Sequence, residues 1–125
     1  MHVHSANTWF EIPVADLATS QPFYEQMLDR PMRGTTDAGG KTIAVFIHEK
    51  PGAGGCLVER AGHRATNGGT LVYLNCEPSV QAALDRAVSA GGRAVTQRTH
   101  IGPGIGYFAH VQDPHGNLVG LHAAD

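Results

Sequence analysis

The sequence lacks the features of a disulfide scaffold and of a cysteine-based metal site. Its 125 residues include two cysteines, Cys56 and Cys76, and neither belongs to a CxxC pair. Both lie in apolar, strand-like text, "GCLVER" and "YLNCEP". A reactive thiol needs a basic neighbour that lowers its pKa, and the sequence does not show one. We therefore expect two ordinary buried thiols.

Charge of one sign and long apolar runs are also scarce. The net charge is −2 with histidine neutral, and charged residues make up 16%, which excludes the basic face typical of nucleic-acid or anionic-membrane binding. No apolar run approaches the ~20 residues that span a bilayer. The start, "MHVHSANTWF", lacks the basic-then-apolar order of a signal peptide. We expect a soluble, cytoplasmic, single-domain protein.

Histidine, in contrast, is abundant, with eight residues in the chain. His2 and His4 lie at the start, and the others are scattered. No HxxxH or HExxH spacing occurs. His100 opens the Gly- and Pro-rich text "HIGPGIG", which is typical of a flexible loop at the mouth of a cleft. The local pattern therefore gives only a weak metal signal.

Two segments have helical periodicity. "SQPFYEQML" carries one apolar face, and Pro22 belongs in a first turn, which predicts a cap at Thr19 or Ser20. "SVQAALDRAVSAGG" has apolar residues at helical spacing, with Ser79 as N-cap and two glycines as the stop. Each helix follows one strand-like run and precedes three more.

The chain thus repeats a βαβββ pattern. "WFEIPV" matches "LVYLNC" at an offset of 62 residues, and "LVE" matches "LVG" at an offset of 61. A polar, Gly-rich segment, "AGHRATNGG", separates the two copies. We therefore predict two like modules, residues 1–62 and 68–125, within one domain.

The text "FEIPVADLATSQPFYEQML" and the motif "DPHGNLVGL" resemble the vicinal oxygen chelate superfamily, which includes glyoxalase I, bleomycin and fosfomycin resistance proteins and extradiol dioxygenases. The resemblance covers essentially the whole chain. It implies an α+β fold in which two βαβββ modules form an eight-stranded, open, cleft-like barrel with the helices outside. It also implies a homodimer.

The resemblance further implies where metal ligands would lie in such proteins, on the first and last strand of each module. Carried over by the motif text, these positions are Trp9, Glu59, Leu71 and Gly120. One carboxylate cannot hold a divalent ion, because catalytic zinc needs about three protein ligands. The usual metal site therefore looks dismantled, and no cofactor is expected. Gly120, in this interpretation, marks a missing side chain and widens the floor of the cleft.

Strand alternation predicts which side chains face the cleft. The candidate substrate-binding residues are Trp9, Glu11, Leu71, Tyr73, Asn75, His110, Gly120 and His122. The candidate catalytic residues are Glu59 or Glu11 as the base and His110 or His122 as its proton partner. These residue types suit proton transfer beside a carbonyl.

Several functions stay open from the sequence. The first two are a metal-free binder of a small aromatic compound and a metal-independent lyase or isomerase acting on a small carbonyl compound. The alternative is a metal-dependent glyoxalase- or dioxygenase-type enzyme with displaced ligands, His110, His122 and Glu59 or Glu11. A regulatory domain with a vestigial cleft is a further possibility. In the first three cases the expected partner is a small molecule.

Overall fold

A computed structural model describes residues 5–36, 42–59, 61–62 and 64–125. His2, His4 and His63 lie outside these ranges. The elements in chain order are β1 (Trp9–Pro13), α1 (Leu17–Leu28), β2 (Arg33–Thr36), β3 (Thr42–Val45), β4 (Gly54–Val58), β5 (Tyr73–Asn75), α2 (Val80–Ser89), β6 (Arg93–Gly102), β7 (Gly106–Gln112) and β8 (Leu118–Ala123). The order βαβββ therefore occurs twice.

The strands form two four-stranded sheets with the same topology. The first has the order β1-β4-β3-β2 and the second β5-β8-β7-β6. The first and last strand of each module pair in parallel, and the other neighbours are antiparallel. Neither sheet closes on itself, so the predicted α+β fold with an open, cleft-like arrangement is confirmed.

The main core lies between the sheets and the helices. Helix α1 buries Phe23, Tyr24 and Met27, and α2 buries Ala83 and Leu84 in the same cluster. Alternate residues of the strands complete this cluster, including Ile12, Leu57, Leu74, Ala109, Val111, Val119, Leu121 and Ala123. Each large apolar side chain buried in this way contributes roughly 1.5–3 kcal/mol. One face of each sheet is thereby covered, which leaves the opposite face for a site.

The helix starts differ in how well the sequence predicts them. Ser79 caps α2 as predicted, and its hydroxyl accepts from the Ala82 N–H at 3.1 Å. Helix α1 begins earlier than predicted, because the Asp16 carboxylate caps it and accepts from the Ala18 N–H at 3.0 Å. Pro22 consequently lies inside the helix. Proline has no N–H, so Pro22 cannot donate to the Ala18 carbonyl four residues earlier. Ala18 is exposed, which lets water bond to that carbonyl instead.

The turn within "DPHGN" connects the two modules. Asn117 donates to the Pro13 carbonyl at 2.7 Å, and its side-chain oxygen accepts from the Thr66 N–H at 3.1 Å. The buried Asp113 carboxylate accepts from the Tyr24 hydroxyl at 2.7 Å. Burial, and secondly the negative charge of Asp113, raises the pKa of Tyr24 well above its usual value. The turn thus holds β1 and α1 of the first module against the second.

The strand register corrects one equivalence between the modules. Glu11 pairs with Cys56 in the first sheet, and Tyr73 pairs with Gly120 in the second. Because Glu11 and Tyr73 correspond at the 62-residue offset, Cys56 is the counterpart of Gly120. The match of "LVE" to "LVG", which placed Glu59 in that role, was wrong. Glu59 lies beyond the end of β4.

Within the described ranges, neither helix is long and apolar enough to cross a membrane.

Candidate functional site

The second sheet has one open face, which we call the cleft face. Strands β7 and β8 send alternate side chains into the core, and the intervening ones are partly exposed on the other side. The cleft face carries Tyr73, Asn75, Arg93, Thr96, Thr99, Phe108, His110, Gln112, Leu118, Gly120 and His122. It therefore brings together five residues that the sequence placed in the cleft, namely Tyr73, Asn75, His110, Gly120 and His122.

A chain of three side chains crosses this face from β5 to β6. The Tyr73 hydroxyl lies 2.7 Å from Nε2 of His110, and Nδ1 of His110 lies 2.9 Å from the Thr96 hydroxyl. Each outer hydroxyl can donate or accept, so either imidazole tautomer satisfies both bonds. His110 is half-buried, whereas Tyr73 is 47% exposed. The arrangement can pass a proton between a surface phenol and a held imidazole.

Gly120 makes this contact possible. A Cβ atom at Gly120 would overlap the ring of Tyr73, its partner on the neighbouring strand. The prediction that Gly120 leaves free space in the floor of the cleft was therefore wrong, because the Tyr73 ring occupies that space. Glycine at this position lets the phenol cross β8 and reach His110 on β7.

Three rings form an aromatic cluster on the cleft face. The ring centroids of Tyr73 and Phe108 are 6.3 Å apart, those of Tyr73 and His110 5.6 Å, and those of Phe108 and His110 5.2 Å. Tyr73 and Asn75 also line a cavity of about 370 Å³, whose other walls include Phe10 and Leu74 and whose lining does not include Phe108 or His110. A small ligand would fit a cavity of this size, next to the three-ring cluster.

The His122 side chain hydrogen-bonds to the hairpin loop between β6 and β7. Its Nε2 lies 2.8 Å from the Ile105 carbonyl, so Nε2 carries the proton and donates. Strand β6 ends at Gly102 and β7 begins at Gly106, so three residues connect them. The predicted flexible loop after His100 is thus a short hairpin, because most of the Gly-rich text is paired in the sheet.

The candidates from the first sheet lie apart from this chain of hydrogen bonds. Trp9 is 44% exposed and packs edge-on against His48, with 6.0 Å between centroids. Glu11 is half-buried and lines a groove with Leu118 from β8. Glu11 thus borders the space between the two sheets, whereas Trp9 packs on its own sheet.

Glu59 and Leu71, the two remaining candidates, lie away from the cleft face. Glu59 accepts from the Leu17 N–H at 2.9 Å, at the first turn of α1, where a carboxylate is favourable. The structure therefore does not bring Glu59 to His110. Leu71 precedes β5, which begins at Tyr73, and is half-buried. Its predicted place on a cleft strand was wrong, because the β5–β8 ladder starts two residues later.

The residues at the implied metal-ligand positions do not fit a metal ion. They offer the indole of Trp9, the isobutyl group of Leu71, Gly120 and, in the place first given to Glu59, the buried thiol of Cys56. In the described part of the chain, no three His, Cys, Asp or Glu side chains converge on one point. The alternative set of His110, His122 and a glutamate is divided between the sheets.

Sequence reasoning missed Thr96 and Phe108. Thr96 faces His110 because the β6–β7 register shifts between Ala94 and Thr96, which a strict alternation cannot show. Phe108 lies two residues before His110 on β7, so the same alternation that placed His110 would have found it.

Comparison with known proteins agrees with this architecture. A glyoxalase-related enzyme from Fulvimarina pelagi is 17% identical, with a TM-score of 0.67, over 97% of this chain and 88% of that one. A glyoxalase/bleomycin resistance protein from Albidiferax ferrireducens is 21% identical, with a TM-score of 0.62, over 94% and 98%. A glyoxalase I mutant from Zea mays is 22% identical, with a TM-score of 0.61, over 94% of this chain and 45% of that one. At these identities the likeness shows the fold alone.

The comparison with curated proteins gives no match. The family described as the Glyoxalase/Bleomycin resistance protein/Dioxygenase superfamily matches residues 6–121. This stretch includes both modules and every described strand of the two sheets except the last two residues of β8. The chain belongs to the Glyoxalase/Bleomycin resistance protein/Dioxygenase superfamily.

Proposed function

We propose that the protein binds a small aromatic or carbonyl-containing molecule on the cleft face of the second sheet. The observation that carries this proposal is the 2.7 Å hydrogen bond between the Tyr73 hydroxyl and His110, next to the ring of Phe108. A polar pair beside aromatic walls is the usual composition of a small-molecule site. The rings would stack on a flat ligand, and the phenol would donate to its oxygen.

The first experiment tests binding with 1-phenylpropane-1,2-dione, a neutral aromatic dicarbonyl. Amide chemical shifts measured by NMR during a titration should change along β7 and β8. Replacing Tyr73 by Phe should weaken binding by about 2–10-fold, because one hydrogen bond contributes roughly 0.5–1.5 kcal/mol.

The matched control is His100→Ala. His100 packs on Tyr107 on the opposite face, with 5.0 Å between centroids, and pairs with it across β6 and β7. We expect binding to be unchanged in this variant. Shifts that cluster on the opposite face, or equal binding by Tyr73→Phe and the parent protein, would overturn the proposal.

A second candidate function is a metal-independent lyase- or isomerase-type enzyme. The observation that favours it is the continuous chain of hydrogen bonds from Tyr73 through His110 to Thr96. Tyr73 would donate its proton to a carbonyl oxygen as an enol forms, and His110 would return a proton to the phenolate. Glu11, which lines the groove from the first sheet, would accept the proton from carbon.

This candidate has its own test. Enolisation of 1-phenylpropane-1,2-dione in D2O replaces its methyl protons by deuterium, which proton NMR measures directly. The protein should accelerate this exchange, and His110→Ala should remove the acceleration while His100→Ala keeps it. Binding without accelerated exchange would leave the protein a binder and reject the enzyme.

Three expectations from the sequence remain proposals. A homodimer would show twice the chain mass in light scattering. A cytoplasmic location would show in cell fractionation. The metal-dependent glyoxalase- or dioxygenase-type alternative requires about one equivalent of metal retained after dialysis, measured on untagged protein.

A further inference from the structure

We infer that the cleft face of the second sheet selects small aromatic anions, above all aromatic carboxylates, over neutral and cationic analogues. This inference rests on the proposed function and names its ligand class. Its first observation is compositional. The four strands β5, β6, β7 and β8 contain no aspartate or glutamate, whereas their cleft face carries one arginine and two histidines, Arg93, His110 and His122.

The carboxylates nearest in sequence to these strands are engaged elsewhere. Asp113 accepts from Tyr24 and Asn117 inside the turn. Asp125 forms an ion pair with Arg98 at 2.6 Å, and Glu77 accepts from a backbone N–H beyond the end of β8. None of these bonds involves a residue of the cleft face. Strands β5 to β8 themselves therefore offer no carboxylate to pair with a cation and none to repel an anion, and the nearest carboxylates, Glu11 and Glu77, lie at the edges of the face beside Leu118 and His122.

The second observation is the order of the aromatic and polar side chains along the face. Along β7 the cleft face presents Phe108, His110 and Gln112 in turn. The guanidinium of Arg93, on β6, bonds the Gln112 side chain at 2.6 Å. An aromatic ring placed against Phe108 and Tyr73 would direct its substituent past His110 toward Arg93.

Arg93 is suited to this role because its charge is not neutralised. Its only bond within the described residues is to the neutral Gln112 amide. A guanidinium has five N–H donors in a fixed plane, so several remain for a carboxylate. Glu11, the acidic residue that lines the groove from β1, is near Leu118, two strands or about 10 Å from β6.

The experiment compares three probes of the same shape: benzoate, benzamide and benzylamine. Each is titrated at pH 7 while the amide shifts of β7 and β8 are followed by NMR. Benzoate should bind about 10-fold more tightly than benzamide, since hydrogen bonds to a charged group are roughly twice as strong. Benzylamine should bind most weakly.

Two arginine variants locate the effect. Arg93→Gln should weaken benzoate about 5-fold and leave benzamide unchanged, because only the charged ligand uses the guanidinium. Arg98→Gln is the matched control, since Arg98 lies 3.6 Å over the Tyr107 ring on the opposite face. It removes the same charge from the same strand and should leave benzoate binding unchanged.

The outcomes separate this inference from the proposed function. Equal affinity for benzoate and benzamide, with shifts at His110, overturns the anion preference and keeps the binding site. A loss of benzoate affinity that is the same in Arg93→Gln and Arg98→Gln also overturns it, because only net charge would then matter. No shift on the cleft face with any probe overturns both.

Discussion

The ring of Tyr73 lies across the backbone of Gly120, its partner in the parallel β5–β8 ladder. A glycine inside a strand costs roughly 0.5–1 kcal/mol relative to alanine, and an aromatic ring on a neighbouring strand offsets part of that cost by covering the backbone. The same placement carries the Tyr73 hydroxyl to His110. The absence of a side chain at Gly120 therefore allows both the packing of Tyr73 on the sheet and its hydrogen bond to His110.

Replacing Gly120 by Ala should separate Tyr73 from His110. The added methyl group would overlap the phenol ring, so the ring must rotate away. We expect a loss of about 1–3 kcal/mol in the free energy of unfolding, as for other overpacked sites, together with weaker ligand binding. Urea denaturation measures the first effect and an NMR titration the second.

Gly34→Ala is the control for this substitution. Gly34 also lies in a strand, β2, and among the described residues no atom other than those of its chain neighbours comes within 4 Å of the position that its Cβ would take. Its replacement should change stability by less than about 0.5 kcal/mol or raise it slightly. Equal stability of the two variants, with Tyr73 still bonded to His110, would contradict the role given to Gly120.

Glu59→Gln should affect stability and leave the site untouched. The Glu59 carboxylate accepts from the Leu17 N–H at the start of α1, and Gln keeps an acceptor oxygen while it removes the charge. The expected cost is about 0.3–1 kcal/mol, the usual contribution of a charge at a helix terminus. Thermal unfolding and deuterium exchange into 1-phenylpropane-1,2-dione measure the two properties. Loss of exchange at unchanged stability would make Glu59 the base after all.

The sequence predicted the fold well because the fold depends on local patterns. The two βαβββ copies, the Ser79 cap and the turn at "DPHGN" each follow from periodicity or from a short motif. The predicted start of α1 was wrong because the Asp16 side chain caps the helix one turn earlier than Thr19 or Ser20 would, and the helix accepts Pro22 at an exposed position. Propensity rules rank such options but do not weigh them against tertiary contacts.

The site was predictable only in part. Alternation along β5, β7 and β8 places Tyr73, His110 and His122 on one face. It cannot show how strands are offset from one another, and for that reason Glu59 was assigned the place that Cys56 occupies. Nor does it reveal that a side chain can cross a neighbouring strand, which is what Tyr73 does over Gly120.

Tyr24→Phe should destabilise the protein at the junction of the modules. The Tyr24 hydroxyl donates to Asp113 at 2.7 Å in a fully buried position. Its removal leaves a buried carboxylate with one donor fewer, which costs about 1–3 kcal/mol. Urea denaturation measures the change.

Tyr107→Phe provides the comparison for Tyr24→Phe. Tyr107 is half-buried, and its ring contacts His100 and Arg98. We expect its free energy of unfolding to stay within about 0.5 kcal/mol of the parent. If the two variants lose the same stability, the bond to Asp113 contributes nothing beyond the loss of a hydroxyl.

Cys76 should make the protein less stable in alkali. Burial raises the pKa of its thiol to about 11, partly opposed by the positive charge of Arg30. In the unfolded chain a thiol has a pKa of about 8.5. The folded state therefore holds the proton more tightly. This contribution to stability is fully present below pH 8.5 and is lost as the pH rises through 11.

Two measurements check this prediction. In Cys56→Ala protein, which keeps Cys76 as its only thiol, a disulfide reagent should not react at pH 8 until urea unfolds the chain, because the nucleophile is the thiolate. Between pH 8.5 and 11, the free energy of unfolding should fall less steeply in Cys76→Ala than in the parent. The raised pKa of Tyr24 acts in the same direction in both proteins, so the difference between their slopes belongs to Cys76. Identical slopes would mean that the folded protein does not hold the Cys76 proton more tightly than the unfolded chain.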